Sequence, residues 1–164
     1  MSDVLAGELD IAVLLPCYNE AATIEGVVRG FAEALPGARI YVYDNNSTDG
    51  TALKAMLAGA HVMRERRQGK GHVVRRMFAD IDADIYIMAD GDGTYSPKDA
   101  EDLIRTLVTE RADMVVGTRR GVHDDAGRQG HATATGSSTF STGRSSGVIS
   151  PISFPATGCF RAGS

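Results

Sequence analysis

The sequence predicts an α/β fold organised around a mostly parallel β-sheet with flanking helices. Two observations carry that prediction. From residue 10 to about residue 118, short apolar runs alternate with longer segments whose apolar residues recur at helical spacing, the signature of βα units. At 164 residues, 43% hydrophobic and 23% charged, the chain also has the length and make-up of one soluble globular domain able to bury a substantial core.

The elements follow in order. Ile11 to Leu15 reads as the first strand. Ile24, Val27, Val28, Phe31 and Leu35 then recur at helical spacing, and Pro36-Gly37 ends that helix. A second strand, Ile40 to Tyr43, runs into Asp44-Asn45-Asn46-Ser47-Thr48-Asp49-Gly50, a loop of turn formers that opens a short helix from Ala52 to Ala58. His61 to Met63 is a third strand, and Arg64 to Lys70 a basic loop. Val73, Val74, Met77, Phe78 and Ile81 mark an amphipathic helix. An apolar strand beginning at Ile85 follows. Ser96 is placed as an N-cap with Pro97 at the first helical position, opening a helix that buries Leu103, Ile104, Leu107 and Val108. Met114 to Val116 is a fifth strand.

Composition limits the function classes. A formal net charge of −4 gives no broadly basic surface, so nucleic acid is not an expected partner. No apolar run approaches the roughly 20 residues of a membrane span, and the first residues lack the basic and apolar regions of a signal peptide. The expected location is therefore cytoplasmic. Cys17 and Cys159 are far apart and lack metal-ligand spacing, which indicates neither a disulfide framework nor a zinc site.

Chemistry concentrates where the fourth strand ends. Ile85-Tyr86-Ile87-Met88-Ala89 runs directly into Asp90-Gly91-Asp92, which delivers two carboxylates to the carboxyl end of a buried strand, where α/β proteins bind ligands. Mg²⁺ is commonly held by one or two carboxylates together with substrate phosphates, so the pair suggests a metal-bound diphosphate. An EF-hand loop would use Asp90, Asp92, Thr94 and Glu101, but Tyr95 stands where its glycine belongs and a strand precedes it. An acidic solvent turn is the other reading of the same residues.

Three strand ends carry polar or acidic clusters in succession: LLPCYNE, DNNSTDGT and ADGDGTY. Their order and content resemble the nucleotide-sugar-binding half of the family 2 glycosyltransferases, which have the Rossmann-like GT-A fold and include dolichyl phosphate mannosyltransferases. The resemblance covers residues 10 to about 125. It implies that Pro16, Tyr18 and Glu20 line a nucleotide pocket, that Asp44 contacts the base, and that Asp90 and Asp92 lie at a Mg²⁺ or Mn²⁺ ion holding the diphosphate. The family's Gly-Lys-Gly corresponds to Gly69-Lys70-Gly71, whose lysine could reach a phosphate, and Arg119 corresponds to an arginine that helps position the donor. The implied donor is a UDP- or GDP-sugar; the implied acceptor is a polyprenyl phosphate or a glycan, the former at the cytoplasmic membrane face. Each residue has a plainer reading as well: Glu20 as a helix N-terminal acid, Asp44 as an Asx-turn, Arg119 as surface charge. A sugar-nucleotide nucleotidyltransferase and an inactive nucleotide-binding remnant are the alternative functions.

From residue 133 to residue 164, Ser, Thr and Gly dominate and no acidic residue occurs, so the expected division is a donor-binding half over 1–132 and a largely disordered tail over 133–164. The sheet is then expected to be incomplete on its C-terminal side. A frame beginning at the third base of the Val148 codon permits, through synonymous choices, a reading that resembles the family's acceptor-side segment. The tail is accordingly expected to be an out-of-frame translation. On that reading the acceptor-side catalytic base is absent, and nothing around Asp124 and Asp125 marks either as a substitute.

Overall fold

The computed structural model describes residues 9–117 and the backbone of 157–161. Seven consecutive buried residues form β1, Ile11–Cys17, at the centre of the parallel part of the sheet. A strand covered on both faces must be apolar throughout, which is why β1 shows no alternation. β2 (Arg39–Asp44) and β4 (Ile85–Met88) flank it in parallel, with Val13 opposite Ile40 on one side and Ile87 on the other. β3 (His61–Arg64) pairs in parallel outside β2. On the far side, β6 (Thr157–Arg161) runs antiparallel between β4 and β5 (Met114–Gly117), completing the order β3-β2-β1-β4-β6-β5.

Helices cover both faces. The alternate residues Ile11, Val13, Leu15 and Cys17 of β1 pack with α1 (Ile24–Ala34), α2 (Thr51–Leu57) and α4 (Ala100–Thr109). Ala12 and Leu14 face α3 (Lys70–Asp80) through Val73 and Met77. The helical spacing predicted for α1 holds, since Ile24, Val27, Val28, Phe31 and Leu35 are all buried. Fully buried side chains such as Phe31, Leu14 and Leu15 contribute roughly 1.5–3 kcal/mol each by leaving water.

Several expectations change. Phe78 and Val108 are exposed, because they lie at the edges of their helices' apolar stripes rather than at the centre. Ser96 precedes a short 3-10 turn, Pro97–Asp99, but its side chain makes no capping hydrogen bond; the turn closes through the Asp99 N–H and the Ser96 carbonyl. Within the tail expected to be largely disordered, the backbone of Thr157–Arg161 supplies the antiparallel strand that joins β5 to β4. Among the described residues, no helix is long and apolar enough to cross a membrane.

The strand order reverses at β1. The chain builds outward through β2 and β3, then returns to place β4 on β1's other side. Loops leaving the carboxyl ends of β1 and β4 diverge at such a point and leave a crevice.

Candidate functional site

The loops after β1 and β2 are tied together by side chains. The Asn19 N–H donates to Ser47 Oγ at 2.9 Å, and Asn19 Oδ1 accepts from the Thr48 N–H at 2.9 Å. The Glu20 N–H donates to Thr51 Oγ1 at 2.9 Å, the Ala21 N–H to Asp49 Oδ2 at 3.0 Å, and Lys54 Nζ to the Ala21 carbonyl at 2.8 Å. Asp49 also accepts from the Thr51 backbone and hydroxyl at the start of α2; these bonds, with that from Ala21, hold its carboxyl below the usual range. Ser47, Thr48, Asp49 and Thr51 therefore brace the Tyr18-Asn19-Glu20 loop. Asn19 and Asn46 adopt left-handed backbone (φ 55° and 68°), a conformation that asparagine tolerates better than most residues.

A second clamp shapes the basic loop. Asn45 is 4% exposed; its Nδ2 donates to the carbonyls of Glu65 (2.9 Å) and Arg67 (2.8 Å), and its Oδ1 accepts from the Gly69 N–H at 2.7 Å. Asn46 Nδ2 donates to the Arg66 carbonyl at 3.0 Å and to Gln68 Oε1 at 3.1 Å. The Arg67 N–H donates to Glu65 Oε1 at 2.6 Å, a bond that lowers the Glu65 pKa, and Arg76 sits 3.6 Å from the same carboxylate. Gly69 turns the chain into α3 at φ 126°, a region open to glycine and strained for other residues.

The third loop packs against the first. Thr23 Oγ1 donates to the Gly91 carbonyl at 2.7 Å. A Cβ on Gly91 would stand 2.2 Å from Glu20 Oε2 and 2.5 Å from Cys17 Sγ, so a side chain there would force these groups to shift. The Asp92 Oδ1 accepts from the Thr94 N–H at 2.8 Å, and Lys70 forms an ion pair with Asp90. Glu20 Oε2 is buried and accepts no hydrogen bond. Burial is the largest cause raising the Glu20 carboxyl from about 4.5 to about 7; Asp90 and Asp92 add to the rise, while the Cys17 thiol and Lys70 oppose it. Burial, with Glu20 next, also pushes the Cys17 thiol well above its ordinary value, so it stays protonated.

Between these loops lies a cleft of about 300 Å³ lined by Pro16, Cys17, Tyr18, Glu20, Asn45, Gln68, Gly69, Lys70, Val73, Asp90 and Asp92. Six of the residues singled out from the sequence meet there: Pro16, Tyr18, Glu20, Lys70, Asp90 and Asp92. Asp44 does not. It is 4% exposed and accepts from the Ser47 N–H at 3.3 Å through both oxygens, close to the turn-forming role that was its plainer reading. Arg119 lies outside the described residues. Asn45 and Gln68 were missed by sequence reasoning, since each reads locally as an ordinary turn or loop residue. The charged lining offers the carboxylate oxygens of Glu20, Asp90 and Asp92, ligands suited to a hard divalent cation, beside the single ammonium of Lys70. No group of three His, Cys, Asp or Glu side chains among the described residues could hold a metal unaided, so phosphate or water oxygens would have to complete the shell.

The family model for glycosyl transferase family 2 matches residues 12–164. The chain belongs to that family. The chain is 51% identical over 123 residues to protein RfbJ of Shigella flexneri, a match covering 74% of the chain and 95% of RfbJ. It is 43% identical over 110 residues to glycosyltransferase AglJ of Haloferax volcanii, covering 66% of the chain and 36% of AglJ. Among solved structures, glucosyl-3-phosphoglycerate synthase from Mycobacterium tuberculosis in complex with UDP superposes with a TM-score of 0.63 at 30% identity, over 71% of this chain and 47% of the synthase. The same enzyme with Mn²⁺, UDP and glucosyl-3-phosphoglycerate superposes with a TM-score of 0.57 at 30% identity, over 64% and 42%. The fold is GT-A. The chain thus spans less than half the length of the synthase it superposes on. The nucleotidyltransferase alternative is set aside by the family match.

Proposed function

We propose that the cleft binds a nucleoside diphosphate sugar, with UDP as the nucleotide, and that the enzyme transfers the sugar to an acceptor with Mg²⁺ or Mn²⁺ held at Asp92 and Asp90. The observation that carries this reading is the convergence of Asp90, Asp92, Lys70 and Glu20 on one cleft at the point where strand order reverses. The choice of UDP is supported by the solved relatives at 30% identity, whose complexes contain UDP with Mn²⁺ or Mg²⁺.

Each residue has a task in this scheme. Pro16 and the half-exposed Tyr18 supply the wall against which the base and ribose lie. Asp92 and Asp90 provide oxygen ligands, and Gly91 between them lets the loop sit against Cys17 and Glu20. Lys70 supplies a positive charge beside the diphosphate. The cation, when bound, offsets the negative charge that develops on the leaving diphosphate, which removes the need for a proton donor to that group. Arg119 is proposed to help position the donor. A polyprenyl phosphate or a glycan is the proposed acceptor class, and cytoplasmic action, at the membrane face for the former, belongs to the same proposal.

Calorimetric titration of UDP and GDP with and without Mn²⁺ tests the scheme. UDP is expected to bind only with Mn²⁺, and Asp92→Ala to weaken that binding roughly a hundredfold, about 2.7 kcal/mol. Mn²⁺-independent binding that Asp92→Ala leaves unchanged would remove the metal assignment.

A further inference from the structure

Lys70 occupies a position that helix energetics disfavour. It is the first residue of α3, where the unpaired N–H groups carry partial positive charge, and no acidic residue in the first turn compensates. Its backbone cannot drift, because Asn45 Oδ1 holds the Gly69 N–H immediately before it at 2.7 Å. What offsets the placement is Asp90, twenty residues further along the chain, whose carboxylate pairs with the Lys70 ammonium.

That pairing meets a second claim on the same carboxylate. Glu20, Asp90 and Asp92 bring three carboxyl groups to the cleft, and Lys70 is the only cationic residue among the described lining. Without a divalent ion, this ammonium is the charge that keeps the site from repelling itself. It is also bound on a flexible stem, 38% exposed, and so can leave Asp90 without disturbing the helix. A divalent cation at Asp90 and an ammonium on the same oxygen repel each other, whereas a diphosphate arriving with the cation offers the ammonium new oxygens.

We infer that Lys70 is a place-holder cation: it neutralises Asp90 in the nucleotide-free enzyme and passes to the donor diphosphate when the divalent ion takes Asp90. The inference rests on the assignment of Asp90 and Asp92 to the metal. Its consequence is coupled loading. Free divalent ion competes with Lys70 and binds poorly, while ion and nucleotide diphosphate together give both Asp90 and Lys70 a partner of opposite charge, so the two enter as one unit.

The signature is a crossover in sign. Free Mn²⁺ binding is followed by electron paramagnetic resonance on the full chain, and Mn²⁺-dependent UDP binding by calorimetry. Lys70→Met, which keeps the stem and drops the charge, is expected to bind free Mn²⁺ about tenfold more tightly than wild type and UDP with Mn²⁺ about tenfold less tightly. Lys70→Gln should give the same crossover, and Lys70→Arg should track wild type in both measurements. Thermal melts establish that each variant is folded. If wild type binds UDP with Mn²⁺ but neither neutral variant gains affinity for free Mn²⁺, the place-holder role is overturned and the metal assignment stands. If wild type binds no Mn²⁺ even with UDP, the metal assignment falls and takes this inference with it.

Discussion

Replacing Glu20 with glutamine isolates the cost of one buried carboxylate. Its Oε2 is buried without a hydrogen-bond donor, and the folded protein raises its pKa from about 4.5 to about 7, chiefly through burial. A carboxyl whose folded pKa exceeds its unfolded value holds its proton more tightly in the native state. Its contribution is therefore complete below about pH 4.5 and is lost as pH rises through 7. Taken in full, that rise corresponds to about 3.4 kcal/mol. Water reaches part of the side chain and screens it, which reduces the cost to about 1–2 kcal/mol. Glutamine has nearly the same shape and no charge to desolvate. At pH 8, without divalent ions, Glu20→Gln should therefore be more stable than wild type by about 1–2 kcal/mol, a rise in Tm of roughly 3–8 °C. At pH 4 the two should melt together. Melting curves from pH 4 to pH 8 measure the difference between the variants, in which other titrating groups cancel. Coincident melts at pH 8, or a difference that does not grow between pH 4.5 and pH 7, would refute the reading that burial penalises the Glu20 carboxylate.

Two further substitutions probe the loops themselves. Gly91→Ala places a methyl group against Glu20 Oε2 and Cys17 Sγ; it should destabilise by about 1–3 kcal/mol and weaken UDP binding with Mn²⁺ at least roughly tenfold, read by melts and calorimetry. Asn45→Ala removes two donors to the carbonyls of Glu65 and Arg67 and the acceptor for the Gly69 N–H, costing roughly 2–3 kcal/mol, with faster amide hydrogen exchange at Gly69 as its local signature.

Periodicity carried most of the fold. Ile24, Val27, Val28, Phe31 and Leu35 fall on one stripe, and burial of such a stripe is what makes α1 a helix in the first place. Phe78 and Val108 satisfy the same spacing but end up exposed, because spacing states which residues share a face and not how far a neighbouring layer extends over it. The site was legible where chemistry and strand ends coincide, as at Asp90 and Asp92. It was illegible where one turn residue had to be told from the next. Asp44 and Asn45 are adjacent members of one polar loop, yet the first turns back to Ser47 while the second holds three groups twenty or more residues away. Only tertiary distance separates those roles. Thr157–Arg161 shows the same limit: five residues including a glycine have little intrinsic strand signal, and their place comes from register with Met114–Gly117 and Ile85–Met88. Whether residues 133–164 are translated in frame is a question for the nucleotide sequence. The codons of Val148 to Ser164 decide the point.

The bonds between Asn19 and the Ser47–Thr48 turn, and between Glu20-Ala21 and Thr51 and Asp49, alter how the Ser-Thr-Asp-Gly-Thr signature should be used as a diagnostic. The side chains of Ser47, Asp49 and Thr51 stitch neighbouring loops rather than touch the cleft, so selection for folding alone would preserve them in a descendant that had lost every ligand. That signature therefore identifies ancestry. On the proposed assignment, surveys that sort active from inactive relatives should weigh Lys70, Asp90 and Asp92 instead, since those side chains line the cleft.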